Sequence, residues 1–207
     1  MSIELPEAVE RLRAHAWVTD AREGKAGAAA QGIVLALNAA GIAALHRMGR
    51  ARLIEALQRD TGHADDAIVW RLRDTLPSAT DAAQIDAWLH APLPREPLLL
   101  DERQHDGNWT LALRVPLDLV YFPGHFPQAP VLPGAVQIDW ALALAAPRLG
   151  TPQRCNVMEA LKFQQLLRPG DRVELSLHHD TARHKLHFAY RYGDRAYSSG
   201  RLAWSAA

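Results

Sequence analysis

Pro130-Val-Leu-Pro-Gly-Ala-Val-Gln-Ile-Asp-Trp-Ala-Leu-Ala-Leu-Ala-Ala-Pro147 decides how the second half of the chain must fold. From Ala135 to Ala146 it is apolar nearly all round, so the pattern predicts a buried helix that Pro147 stops. Pro133-Gly134 marks its start, because proline's missing donor would go unpaired at that position anyway. Around this helix, Trp109–Val115, Val173–His179, Lys185–Tyr192 and Ala196–Trp204 alternate with the two-residue period of half-buried strands. Pro169-Gly-Asp171 and Tyr192-Gly-Asp194 supply turn chemistry between them. The expectation is a curved antiparallel sheet wrapped around one buried helix.

Chemistry concentrates in Tyr121-Phe-Pro-Gly-His-Phe-Pro-Gln-Ala-Pro-Val-Leu-Pro-Gly-Ala-Val-Gln-Ile-Asp139. Four prolines and two glycines make a stiff, irregular loop, which pre-organises what it displays. It displays His125, a residue type that titrates near neutrality and can serve as base and then acid. The helix that follows begins with free amides and partial positive charge, which suit an oxygen gaining negative charge. Asp139 lies five residues into that helix, where burial would be costly unless the carboxylate were paired or protonated. Alone, His125 reads as a structural loop histidine and Asp139 as a charge serving the helix dipole. Their shared frame favours a catalytic pair.

Gly124-His-Phe-Pro127, Pro130-Val-Leu-Pro-Gly134 and an acid fourteen residues after His125 resemble the signature of the FabA/FabZ family of 3-hydroxyacyl-[acyl-carrier-protein] dehydratases. Val131-Leu-Pro-Gly-Ala-Val-Gln-Ile-Asp-Trp140 looks closest to the ApeI-like dehydratases of aryl polyene pigment clusters. Lys162-Phe163 and Arg168-Pro-Gly-Asp171 are similar to the family's next strand and turn. The resemblance implies a hotdog fold and a hydro-lyase that forms a trans-2-enoyl thioester in fatty acid or pigment synthesis. It implies that His125 takes the α-proton, that the Gly134 amide polarises the thioester carbonyl, and that Asp139 of the other subunit helps protonate the departing 3-hydroxyl. The Val131 carbonyl would orient the histidine ring, and Phe126 would line the substrate site. Expected partners are an acyl carrier protein and a second copy, as a homodimer or an assembly of dimers, with no cofactor and no metal. Two departures stand out: Ala143 occupies the place of a glutamine four residues after the acid, and Ala135 that of the FabA cysteine. A hotdog acyl thioesterase and a non-catalytic subunit that binds carrier protein or an active dehydratase are the alternative readings.

Ala91-Pro-Leu-Pro-Arg-Glu-Pro97, with three prolines in seven residues, separates an expected first domain over 1–92 from the hotdog domain over 100–207. The fold class is therefore α+β, a C-terminal hotdog preceded by a small α/β subdomain. In that subdomain Gly32–Leu37 and Ala67–Leu72 read as strands. Asn38 caps a helix carrying Ile42, Leu45, Met48, Leu53, Ile54 and Leu57 on one face and stopping at Thr61-Gly62. A short helix follows over Thr80–Leu89, with Thr80 or Asp81 as cap. Asn38-Ala-Ala-Gly41, Met48-Gly-Arg-Ala-Arg-Leu-Ile54 and Trp70-Arg-Leu-Arg-Asp-Thr-Leu-Pro77 look like the C-terminal subdomain of acyl-adenylating enzymes. Ser78–Gln84 lacks the lysine that orients the acyl substrate in those enzymes, so a relic or docking module is expected rather than adenylation.

Composition sets the outer bounds. Apolar residues make up 48%, enough for a proper core, and 23 basic residues balance 23 acidic ones, which gives no electrostatic pull toward nucleic acid or anionic membrane. Cys155 is the lone cysteine and reads as a quiet thiol. The start of the chain lacks an apolar signal core, and no apolar run is long enough to span a bilayer, so a cytoplasmic protein is expected. His178, His179, His184 and His187 read as solvated strand histidines rather than metal ligands. Trp17, Trp70, Trp88 and Trp109 read as core or interface anchors. The arginines from Arg47 to Arg59 read as a solvated helix face able to touch an acidic carrier protein.

Overall fold

The computed structural model describes residues 4–27, 30–63, 65 and 67–204; Ala28 and Ala29 of the alanine-rich tract lie outside them. The chain forms two compact units, Met1–Arg95 with Pro116–Pro130, and Glu96–Val115 with Val131–Ala207. Residues 116–130 lie in the dehydratase-like half of the chain but pack with the first unit.

In the first unit α1 (Leu5–Arg13), β1 (Val18–Lys25), β2 (Gln31–Leu37), α2 (Ala39–Thr61), β3 (Val69–Arg73) and α3 (Ala82–His90) follow in order. The sheet runs β1-β2-β3, with β1 antiparallel and β3 parallel to β2. β2 is buried from Gly32 through Leu37, which is why its sequence is a continuous apolar run. Asn38 caps α2 by accepting from the Gly41 amide, and Asp81 caps α3 through the Gln84 amide. Gly62 ends α2 in the left-handed conformation. The core gathers Leu12, Ile33, Leu35, Leu45, Leu53 and Trp70, and Leu117 from the later segment joins it.

The second unit is a six-stranded antiparallel sheet with one helix. The strands are β4 (Leu98–His105), β5 (Asn108–Arg114), β6 (Val157–Phe163), β7 (Arg172–Asp180), β8 (Lys185–Tyr192) and β9 (Arg195–Ala203), in spatial order β4-β5-β7-β8-β9-β6. Leu111, Leu113, Val173, Leu175, Leu177, Phe188 and Tyr190 fill the buried face with the expected alternation. Helix α4 (Gly134–Leu149) buries Val136, Ile138, Trp140, Ala141, Leu142 and Ala145. A single helix served by a curved antiparallel sheet is the hotdog arrangement.

Two expectations about α4 need correction. Pro147 does not stop it. The helix continues to Leu149 and ends at Gly150, whose φ is 65°. Pro147 lies in the last turn, where it withholds only one helical donor. Nor is α4 buried all round: Ala135, Asp139, Ala143 and Pro147 form an exposed strip along one side. Among the described residues no helix is long and apolar enough to cross a membrane.

Candidate active site

His125 rides on an arch whose ends are anchored in the first unit. Leu117, Asp118, Leu119 and Phe122 are buried before it, and Pro130 is buried after it. The His125 amide donates to the Phe122 carbonyl at 3.4 Å, closing a turn beneath the ring. The imidazole is half-buried and meets the Phe126 ring edge-on, with centroids 4.6 Å apart. Phe126 itself has φ 54° and is 61% exposed. A bulky residue in the left-handed region carries strain of about 1–2 kcal/mol, and such strain collects where a neighbour must be held in place.

Val131, Gly134 and Asp139 belong to the second unit. Val131 is buried, and the Leu132 amide beside it donates to the Leu167 carbonyl at 2.7 Å. The Arg168–Asp171 turn completes this support. Asp171 Oδ2 accepts from the Arg168 amide at 2.8 Å, and the Asp171 carbonyl accepts from the Val115 amide at 2.9 Å. Gly134 is the first residue of α4, behind Pro133. A Cβ there would stand 2.7 Å from the tip of the half-exposed Phe163 ring, so any side chain at 134 would push that ring aside. Asp139 is exposed rather than buried, so the desolvation expected of it does not occur within the chain. Cys155 lies near enough for the Asp139 carboxylate to help raise the thiol's pKa, after burial, which is the larger cause.

Gln137 escaped the sequence reading. It is 3% exposed, its Nε2 donates to the Leu132 carbonyl at 3.2 Å, and its Oε1 accepts from Ser198 Oγ at 2.6 Å. Its own carbonyl accepts from Tyr190 Oη at 2.8 Å, and burial pushes that phenol's pKa far up. One side chain thus ties the start of α4 to the loop before it and to the sheet. An amide among apolar neighbours was the available signal, since a buried polar group must be paired. Asp118, in Leu117-Asp-Leu119, carries the same signal and was missed as well.

The six-stranded sheet and single helix of the second unit define a hotdog domain of the dehydratase type. The family described as ApeI-like, ApeI dehydratase, matches residues 101–201. The FabZ 3-hydroxyacyl-[acyl-carrier-protein] dehydratase of Oleidesulfovibrio alaskensis is 35% identical over 126 residues, covering 54% of this chain and 79% of that protein. An uncharacterized protein from Erwinia carotovora subsp. atroseptica is 35% identical with a TM-score of 0.44, covering 52% of this chain and 94% of its own. The ApeI:P dehydratase heterocomplex of Xenorhabdus doucetiae gives 31% identity and a TM-score of 0.48, covering 52% and 96%. The chain belongs, through its C-terminal half, to the FabZ family of dehydratases.

Proposed function

We propose that the chain is a hydro-lyase acting on 3-hydroxyacyl groups carried as thioesters by an acyl carrier protein, in the ApeI-like branch. His125 removes the α-proton. Negative charge moves onto the thioester oxygen, which the Gly134 amide at the start of α4 stabilises. The C3–O bond then breaks, the C2–C3 double bond forms, and the hydroxyl leaves as water with a proton supplied with the help of Asp139. The products are a trans-2-enoyl thioester and water. The Val131 carbonyl orients the imidazole, and Phe126 lines the entrance.

The observation that carries this reading is Asp139, a carboxylate exposed on a helix that buries Val136, Ile138, Trp140 and Leu142. It is ready to face a group from outside its own chain. Edge strand β6 supports a homodimer, because Val157, Met158 and Phe163 are each about half exposed along it and an unpaired apolar edge calls for a partner strand.

Mass spectrometry of 3-hydroxyacyl carrier protein incubated with the full chain tests the proposal. Loss of one water is expected, and it should disappear in His125→Ala and in Asp139→Asn while both variants keep the wild-type circular dichroism. Free acid release would mean a thioesterase, and an unchanged substrate across short, long and aryl acyl groups would sink the catalytic reading.

A further inference from the structure

We infer that Met1–Arg95 is a brace for the arch that carries His125, with Gly49, Arg50 and Asp118 as positioning residues. The inference rests on the catalytic reading of His125 given above.

Residues 116–130 follow β5 in sequence, yet they form one compact unit with Met1–Arg95. Three features make that joint. Arg50 Nε donates to Asp118 Oδ1 at 2.5 Å, and the Leu72 amide donates to Asp118 Oδ2 at 3.1 Å. Arg50 Nη2 also donates to the Trp70 carbonyl at 2.9 Å, so α2, β3 and the arch share one polar network. Asp118 is 4% exposed, which makes the pair costly to open once formed. Leu117, next to it, is seated in the first unit's core.

The third feature is a break in α2 itself. Gly49 has φ 76° and ψ 172° inside an otherwise helical run. A Cβ at that position would lie 1.7 Å from the Pro127 carbonyl oxygen. Glycine alone both adopts that φ and leaves room for the carbonyl. The two feet of the arch therefore rest on consecutive residues: the Pro127 side on Gly49, the Asp118 side on Arg50. His125 lies between the feet. An apolar cavity of about 160 Å³, walled by Leu45, Arg50, Leu117, Phe122, Pro127 and Pro130, lies under the arch.

A joint serving stability alone would not need these devices. A kinked helix and a desolvated ion pair are both costly relative to plain apolar packing. What they supply is direction: a fixed angle and a fixed distance for the two ends of the loop. The family match spans 101–201, so Gly49 and Arg50 come from outside it. On this inference the first half holds the catalytic loop rather than acting on substrate.

Hydrogen exchange and turnover on the full chain test it together, in wild type, Gly49→Ala, Arg50→Met and Arg50→Lys. Gly49→Ala and Arg50→Met should speed exchange across 117–128 while leaving β7 and β8 protected. They should lower kcat about ten- to hundred-fold, as misplacement of a catalytic group does, with KM within about two-fold. Arg50→Lys, which keeps a charge and a donor, should fall between them and wild type. If exchange across 117–128 is unchanged, or rises without loss of kcat, the brace is refuted. If a variant loses protection in β7 and β8 as well, Arg50→Lys decides: an effect confined to 117–128 supports the brace, and a uniform loss overturns it. A wild-type chain that dehydrates nothing refutes the functional reading, whereas the exchange pattern still reports on the joint by itself.

Discussion

Ser198 Oγ donates a 2.6 Å hydrogen bond to Gln137 Oε1, joining β9 to the first turn of α4 across 61 residues of sequence. The same amide holds the Leu132 carbonyl through Nε2, so both of its polar ends are occupied in a buried site. Gln137→Leu leaves Leu132 and Ser198 without this partner, at about 1–3 kcal/mol for each group stranded. A drop in Tm of several degrees is expected in thermal melts. Ser198→Ala should cost much less in the Gln137→Leu background than in wild type. Additive losses would show that the two residues do not share one bond.

Much of the second unit was legible because its pattern is local. β7 and β8 alternate over most of their length, so period and burial agree there, whereas β9 buries the adjacent pairs Tyr197-Ser198 and Leu202-Ala203. The caps at Asn38 and Asp81 were legible for the same reason. β4 was not, because Leu98-Leu-Leu-Asp-Glu-Arg-Gln-His105 has no alternation and exposes all eight residues on a sheet edge. β1 was missed too, since Val18-Thr-Asp-Ala-Arg-Glu-Gly-Lys25 is mostly polar and owes its conformation to pairing with β2. Gly49 sits inside a clean helical period, and what breaks the helix there is a carbonyl 78 residues away at Pro127. Asp139 reads as buried from the sequence because a sequence registers that a helix is apolar and not which strip of it the sheet leaves open. The candidate site's motif stands out in the sequence by its spacing, whereas Gln137 and Asp118 are single polar residues in apolar runs.

The left-handed backbone at Phe126 separates strain from side-chain contact. Phe126→Ala removes the ring against His125 and keeps the unfavourable φ. Phe126→Gly removes both. Glycine should therefore be more stable than alanine here by about 1 kcal/mol, the reverse of the order on an ordinary exposed loop. Both should lower kcat, because the imidazole loses its edge contact. Melting curves and turnover of the two variants check this; equal stabilities would mean that φ at 126 is not held positive.

Acid should weaken the sheet in steps. Burial holds the His187 imidazole below its ordinary value of 6.5, and neighbouring His178 and Arg201 push it the same way, against Asp180. The folded state therefore binds fewer protons than the unfolded chain. The contribution of His187 is complete above pH 6.5 and is lost as the pH falls through the folded value. Glu159, held down by its hydrogen bond to Lys185, and Asp180, held down by the Arg183 amide, extend the loss to lower pH. Tm should decline as the pH falls below 6.5, and His187→Gln should flatten that first step. An unchanged slope in the variant would remove His187 from the account.

Asp139 can also be read through its neighbour. Burial first, and the Asp139 carboxylate second, raise the pKa of the Cys155 thiol, so little thiolate exists near neutrality. Alkylation at pH 8 should be slow for a half-buried cysteine of this kind. Asp139→Asn takes away a negative charge and keeps the shape, so the thiolate becomes easier to form and labelling should quicken a few-fold. Burial, the larger cause, stays in place, so the rate should remain below that of a free thiol. The measurement is the pH dependence of labelling in wild type and variant, with the midpoint moving down in Asp139→Asn. A second copy seated over the exposed strip would slow labelling at high protein concentration in both. An Asp139→Asn midpoint equal to wild type would place the carboxylate away from Cys155, and with it would change the direction in which Asp139 faces.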